Sequence, residues 1–549
     1  MKLSAIGLVS AILCPLCACI PLVGDGAQAG EIDARIEAGA GGSLAGPASD
    51  AEFLRRASLD FTGTIATAKR ARAFLADADP HKRDTLIAQL LASPEFPRRM
   101  QEAVSVMWLE RRASGAVPDD AWRKYLHDAF AANKPWNVLV RELVAADGTD
   151  AASQPAIRFL VDGGRADPDV ATLDFARLFL GMNLACARCH DHPQIEDYKQ
   201  AHFYGLYAYL SPTKLVNDKQ QRPLLFENPT KQPLEFVSVF FPSDKKTSGP
   251  QLPDGPAVEI PTFAEGEEFA VPAADGLPGV PKFQPRKLLA EQLVSQRRFA
   301  RNAVNRFWFL MFGRGLVHPL DFDHSQNPPS HPELLDELTD GFQAHDFDVR
   351  WLLQEIARSA AYQRSGVVPA GADMAEIGKA SYRTLPLRPL SAEQLARGLA
   401  EALGQRARLD AATPGEKPIS YKDYSNGRTE IPANWRDVLT VFAGAFGNPA
   451  GEAEMEFQPS VEHALFLAND RLIRDWLQPR EGSLTARLNQ IADPAAAADE
   501  IYLSLLGRPA TDEERGEIVA WLSTPDIDRA LAVQDIVLAL ITSAEFRLY

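Results

Sequence analysis

The stretch DVATLDFARLFLGMNLACARCHDHP, residues 169–193, joins a helical pattern to a cluster of chemically active side chains. Its apolar residues fall on one stripe at helical spacing: Leu173, Ala176, Leu180 and Leu184. This pattern predicts a helix that runs through Leu184 into the motif Cys-Ala-Arg-Cys-His. Because Pro193 prevents the helix from continuing, we expect the motif to form a fixed corner.

The motif consists of Cys186, Cys189 and the adjacent His190. In c-type haem attachment, two thiols at this spacing add to the haem vinyl groups, and the histidine binds the iron from the proximal side. The chain has five cysteines, and the other three lie among the first 19 residues. We therefore predict covalent haem c held by Cys186 and Cys189, with His190 as the proximal iron ligand.

Two other uses of the motif stay open. Cys186, Cys189, His190 and His192 could supply four nitrogen and sulfur ligands to zinc, although ligands so closely spaced strain a tetrahedron. A redox or disulfide pair of the two cysteines is the third use.

The sixth ligand of a haem iron also stays open. The methionines among the candidates lie in apolar helical stretches, where a core position is the simpler expectation. The candidates are His202, His318, His324, His331, His463, Met182, Met311 and Met455.

The first 29 residues resemble a secretory signal peptide. Lys2 supplies a positive start, residues 4–23 are apolar, and Ala27-Gln28-Ala29 matches a small-x-small cleavage site. Covalent haem attachment takes place outside the cytoplasm, so export agrees with the motif. We expect the protein in the periplasm or at the cell surface.

Two alternatives compete with a cleaved signal peptide. The apolar run is about long enough for a membrane anchor, but Pro15 and Pro21 interrupt it. Leu16-Cys17-Ala18-Cys19 resembles a lipobox, which would make the protein a lipoprotein anchored at Cys19. If the protein contacts a membrane, we expect the contact to be made only through this lipid anchor.

Chain length and net charge limit the number of packed units and the classes of partner. A chain of 549 residues is too long for one ordinary core, so we expect two to four packed units. The formal net charge is −16. Because an acidic surface repels phosphate backbones, nucleic-acid binding is not expected.

The apolar periodicity predicts a mainly α protein built of multi-helical domains. Residues 30–210 and 286–549 have helical patterns. Residues 211–285 are rich in proline and contain LEFVSVFF (234–241) and AVEIPTF (257–263), which predict a small β-rich insertion.

Two distant segments resemble each other. They are FLRRASLDFTGTIATAKRARAFL (53–75) and EIYLSLLGRPATDEERGEIVAWL (500–522), and each precedes a helix that ends in Ser-x-Glu-Phe, at 93–96 and 543–546. We expect them to be copies of one helical building block that pack against each other.

Several longer strings resemble a known pair of families. FLRRASLDFTGTIATAKRARAFLAD (53–77) and FLGMNLACARCHDHPQIEDYKQAHFYGL (179–206) resemble the DUF1549 domain, also called the planctomycete cytochrome-associated domain PSCyt2. Its usual partner is DUF1553, or PSD1. The strings that resemble PSD1 are NAVNRFWFLMFGRGLVHPLDFDHSQNPPSHPELLDELTDGF (302–342), LRPLSAEQLA (387–396), YLSLLGRPATDEE (502–514) and LITSAEF (540–546).

The resemblance implies an exported bacterial protein whose motif Cys-x-x-Cys-His-Asp-His-Pro occupies residues 186–193. It implies no particular reaction. Relatives often carry cytochrome or carbohydrate-binding modules, which implies redox work near polysaccharides and a periplasmic redox partner. One departure is PLDFDH at 319–324, where relatives more often have Asp-Asp-Phe.

The leading hypothesis is an exported c-type haem protein that transfers electrons or performs haem-centred redox chemistry. Whether it is an enzyme stays open. The alternatives are a non-redox scaffold with a structural zinc knot, and a carbohydrate-associated enzyme, which would need paired carboxylates in a cleft. Asp321, Asp323 and His324 form a further cluster, which suits either a cation such as calcium or, as the simpler expectation, a solvated loop.

Overall fold

The computed structural model describes residues 27–549, apart from 114, 275, 370, 373–376 and 455–459. The apolar run of the expected signal peptide and Cys19 therefore lie outside the described residues, as does Met455. Residues 27–29 of the expected cleavage site open the first helix. Across the described ranges, no helix has the length and apolar character needed to cross a membrane.

The part of the chain before the strands is helical, as predicted. Polar side chains cap the start of some of these helices; the Asp167 carboxylate, for example, accepts from Asp169 N–H ahead of Pro168. The helices are α1 (Ala27–Gly39), α2 (Asp50–Thr62), α3 (Ala68–Ala76), α4 (Lys82–Leu91), α5 (Glu95–Leu109), α6 (Asp119–Ala131), α7 (Trp136–Ala145), α8 (Arg158–Val161), α9 (Pro168–Leu180) and α10 (Gln200–Leu210).

The part after the strands is helical too. Its helices are α11 (Pro285–Ser295), α12 (Arg297–Phe312), α13 (Pro332–Ala344), α14 (Val349–Arg358), α15 (Ala392–Ala402), α16 (Arg406–Ala411), α17 (Tyr421–Ser425), α18 (Trp435–Phe446), α19 (Val461–Asn469), α20 (Arg471–Trp476), α21 (Leu484–Gln490), α22 (Pro494–Leu505), α23 (Asp512–Leu522), α24 (Arg529–Thr542) and α25 (Ala544–Arg547). The mainly α prediction is confirmed.

Three small antiparallel hairpins lie between the two helical parts. Their strands are β1 (Thr213–Asn217) with β2 (Pro223–Glu227), β3 (Leu234–Ser238) with β4 (Phe241–Ser248), and β5 (Phe269–Val271) with β6 (Val280–Pro281). The strand expected within residues 257–263 is wrong, because that segment has no ladder. Pro256 and Pro261 have no N–H group to donate to one.

Two hydrophobic cores hold the helices together. The first lies among α1–α14 and contains the fully buried Trp108, Trp122 and Trp308, and the second lies among α15–α25 and contains Trp476. Helix α2 borders both cores, since Phe61 belongs to the first and Leu59 to the second.

The two similar segments do pack together, as predicted. Arg72 on α3 forms an ion pair with Glu500 on α22. Arg55 Nη1 donates to the Leu505 carbonyl at 3.2 Å, and its Nη2 donates to the Phe546 carbonyl at 2.6 Å. The second Ser-x-Glu-Phe sequence, residues 543–546, thus packs against the first copy of the building block.

Ion pairs join the two cores, and we call this set the seam: the buried pairs Asp60 with Arg388 and Glu102 with Arg397, and the partly buried pair Arg111 with Glu393. Asp60 is 2% exposed. Its carboxylate accepts from Arg388 Nη2 at 2.8 Å, from the Tyr362 hydroxyl at 2.7 Å and from the Tyr549 hydroxyl at 2.9 Å.

Candidate functional site

Helix α9 leads to the cysteine motif but ends at Leu180, four residues before the predicted end at Leu184. Gly181 follows with φ of 68° and donates to the Ala176 carbonyl. This left-handed conformation is cheap for glycine and stops the helix. Met182 then pairs with Phe322 in an antiparallel bridge.

The two cysteines lie on a single 3₁₀ turn, Cys186–Arg188. Cys189 N–H closes it by donating to the Cys186 carbonyl at 3.2 Å. Both thiols are exposed and unbridged. Arg188 ties the turn back to α9 through an ion pair with Asp169 at 2.9 Å. We call residues 181–200 the corner.

His190 follows the turn with its ring partly exposed. Its Nδ1 lies 2.6 Å from the Asp191 carbonyl oxygen. Because a carbonyl can only accept, Nδ1 carries the proton, and the lone pair of the neutral ring is on Nε2. This is the form in which a histidine binds a metal through Nε2.

His192 has the opposite arrangement. Its Nδ1 accepts from Ile195 N–H at 2.9 Å and from Gln194 N–H at 3.2 Å, so the proton of the neutral ring is on Nε2. Burial lowers the pKa of His192, and the neighbouring His324 and His190 lower it further. The neutral ring of His192 therefore offers a donor at Nε2.

The zinc set needs both histidines as ligands. In the observed arrangement His190 offers a lone pair at Nε2 and His192 does not. Within the part of the chain that the structure describes, no three His, Cys, Asp or Glu side chains are grouped to hold a metal ion.

The candidate sixth ligands are scattered. His324 reaches the corner through Tyr198, whose ring centroid lies 5.4 Å from that of His324 and 6.0 Å from that of His192. Met182 belongs to the corner but is buried in the first core, as is Met311, and His202 lies at the start of α10. The remaining candidates contact aromatic rings outside the corner: His331 against Tyr382, His463 against Phe446, and His318 near Phe309.

In the Asp321, Asp323 and His324 cluster, both aspartates pair with arginines. Asp321 pairs with Arg306 and with Arg177, while Asp323 pairs with Arg301 at 3.3 Å. The expectation of a solvated loop is wrong for Asp321, which is 4% exposed. Both carboxylates therefore already have guanidinium partners.

The hairpin of β3 and β4 brings residues to the cysteine motif that the sequence pattern did not predict there. We call residues 239–241 the tip. Val239 N–H donates to the Cys189 carbonyl at 3.0 Å, and the Phe240 ring centroid lies 4.7 Å from that of His190. The run LEFVSVFF suggested one continuous β-rich segment, because the pair Val239-Phe240, where the chain turns, is not typical of a turn.

Comparison with protein-family models divides the chain into two parts. Residues 31–215 match PSCyt2, described as a protein of unknown function (DUF1549), and residues 285–522 match PSD1, described as a protein of unknown function (DUF1553). The chain belongs to the PSCyt2 and PSD1 families. No curated protein and no solved structure matches it.

A cleft of about 670 Å³ lies beside the corner. The PSCyt2 domain contributes Asp197 to it, and the PSD1 domain contributes Arg298, Asp323 and His324. Hydrogen bonds from the backbone and side chain of Ser325 lower the pKa of Asp197. A general acid needs a raised pKa, so Asp197 does not suit the acid role of a glycosidase.

Proposed function

We propose that this PSCyt2–PSD1 protein is an exported c-type haem protein that works in electron transfer or haem-centred redox chemistry. Cys186 and Cys189 would hold the porphyrin through thioethers, and His190 would bind the iron. The observation that carries the proposal is the Nδ1 to Asp191 carbonyl bond, because it leaves the lone pair of His190 on Nε2 in a motif whose two thiols are exposed.

The surroundings support a rigid attachment site. Asp191 Oδ1 accepts from Gln200 N–H at 2.8 Å, at the start of α10. His192 N–H donates to the Tyr198 carbonyl at 2.8 Å. These bonds hold the loop immediately after His190, and with the Nδ1 bond to Asp191 they set its ring direction before any group binds.

Bound haem supplies an iron that changes oxidation state by one electron. The residues of this chain orient the axial histidine and position the two thiols. The net charge of −16 favours a redox partner with a basic surface, because complementary charge speeds encounter.

The test is expression of the full chain with a cytochrome maturation system, followed by a pyridine haemochrome spectrum and a haem stain on a denaturing gel. Wild type should retain haem on the gel, and a Cys186→Ser, Cys189→Ser double variant should not. Absence of covalent haem from the wild type would sink the proposal. Stoichiometric zinc without iron in elemental analysis would select the scaffold alternative.

A histidine pair provides a matched control. His190→Ala should keep the covalent haem but change its ligand-field spectrum, because the proximal ligand is lost. His192→Ala should leave that spectrum unchanged, because its Nε2 presents a proton. Equal spectral changes in both variants would contradict the assigned roles.

A further inference from the structure

We infer that the tip of the β3–β4 hairpin, residues 239–241, is the apolar wall against which the porphyrin lies. The inference rests on the proposed function and adds the surface that shields the cofactor. It also assigns a role to residues that lie outside both family matches.

The composition of the tip is unusual for a hairpin turn. Ser238 pairs with Phe241, which leaves Val239 and Phe240 as the two turn residues. Such turns ordinarily use Gly, Asn or Asp, whose short side chains suit water and tight backbone angles. Here Val239, Phe240 and Phe241 are 60%, 66% and 66% exposed. Adjacent exposed apolar side chains of this kind mark a binding surface.

The tip is held in place by α10. Gln200 Nε2 donates to the Val237 carbonyl at 3.0 Å. The Tyr204 ring stacks on Phe236 with centroids 4.4 Å apart and planes 8° apart. Because Asp191 also bonds the start of α10, one helix positions both the haem-binding histidine loop and the tip.

The location of the tip favours a porphyrin as its occupant. Its first residue bonds the Cys189 carbonyl, and its second packs on the His190 ring. A porphyrin tethered to Cys186 and Cys189 and bound by His190 stays within side-chain reach of the same turn. Three side chains are also far fewer than the roughly 20–30 residues per side of a stable protein interface.

The wall has a predictable effect on the iron. Apolar surroundings disfavour the form with the higher net charge, and the potential of a haem depends on its solvent exposure. Phe240→Ser admits water to the cofactor and should lower its reduction potential. Val461→Ser is the matched control, since Val461 is 71% exposed on α19, within the second helical part.

A hydrophobic dye gives a readout that needs no redox measurement. The probe is anilinonaphthalene sulfonate, added to the haem-loaded wild type and to the haem-free Cys186→Ser, Cys189→Ser variant. We expect bright fluorescence from the haem-free variant and weak fluorescence from the loaded protein. Adding Phe240→Ser and Phe241→Ser to the haem-free variant should dim it, and adding Val461→Ser should not.

Haem quenching is a known source of low dye fluorescence, so bound dye is also counted by equilibrium dialysis. Loaded wild type that binds as much dye as the haem-free variant would overturn the inference while leaving the proposed function intact. An unchanged potential in Phe240→Ser would do the same. A wild-type dimer that Phe240→Ser dissociates would assign the tip to a second copy, which also overturns it. Absence of haem from the wild type would overturn both proposals.

Discussion

In the seam, the buried carboxylate of Asp60 accepts three hydrogen bonds, from one arginine and two tyrosines. At the corner, the thiols of Cys186 and Cys189 are exposed and the lone pair of the partly exposed His190 ring is on Nε2. The seam uses its polar groups to hold two cores together, so removing one leaves another buried and unpaired. The corner holds its backbone firmly and leaves its reactive side chains available, which is what a binding site requires.

The largest effect is expected in the seam. Asp60→Ala leaves Arg388 buried without its partner and should lower the free energy of unfolding by about 3–5 kcal/mol. Denaturant titration of the purified protein measures it. Asp128→Ala is the control, because the exposed Lys124–Asp128 pair should contribute less than about 0.5 kcal/mol. Equal losses in the two variants would remove the distinction between the seam and an ordinary surface ion pair.

The second-largest effect is expected from acid, which should weaken the seam. Burial alone would raise the pKa of Glu393, but its ion pair with Arg111 outweighs burial and lowers the pKa from 4.5 to about 2. A depressed pKa stabilises the fold above the unfolded value, and that stability is lost as pH falls from about 4.5 through about 2. The loss should reach about 3 kcal/mol for this group.

The measurement compares the free energy of unfolding of wild type and Glu393→Gln between pH 5 and pH 2. Glu393→Gln should be less stable at pH 5, and its stability should fall less steeply towards pH 2. Parallel curves would mean that Glu393 titrates normally in the folded protein.

Within the corner, His192 should matter more for stability than His190. His192→Ala removes the acceptor of two backbone N–H groups and should cost about 1 kcal/mol. His190→Ala removes a partly exposed ring and should cost less. Thermal unfolding of the haem-free variants ranks the two, and a larger loss for His190 would give that residue a structural role.

The smallest effect is expected for the thiols. In haem-free protein, Cys186→Ser combined with Cys189→Ser should change the free energy of unfolding by no more than about 0.5 kcal/mol, because both side chains are exposed. A larger destabilisation would mean that the cysteines have a structural role, as the ion-paired residues of the seam do.

Local patterns predicted the helices well and their ends less well. Apolar periodicity located α9, but the stripe through Leu184 continued past the true end at Leu180. Gly181 was the available signal, because glycine adopts the left-handed cap more easily than it extends a helix. The apolar run 257–263 suggested a strand, although Pro256 just before it and Pro261 within it have no N–H group to donate to a ladder.

The sequence by itself determined the mainly α architecture, the pairing of the two building blocks and the one turn that carries both described cysteines. These depend on periodicity, on residue types close together in the chain, and, for the building blocks, on the likeness of two distant segments. Only the tertiary structure decided which histidine offers a lone pair, because the Asp191 carbonyl and the turn N–H groups set the tautomers of His190 and His192. The contact between the tip and the corner is likewise decided only by the tertiary structure. Phe240 and His190 are about fifty positions apart in the chain, and they meet because α10 holds the hairpin beside the corner. No local sequence pattern predicts that contact.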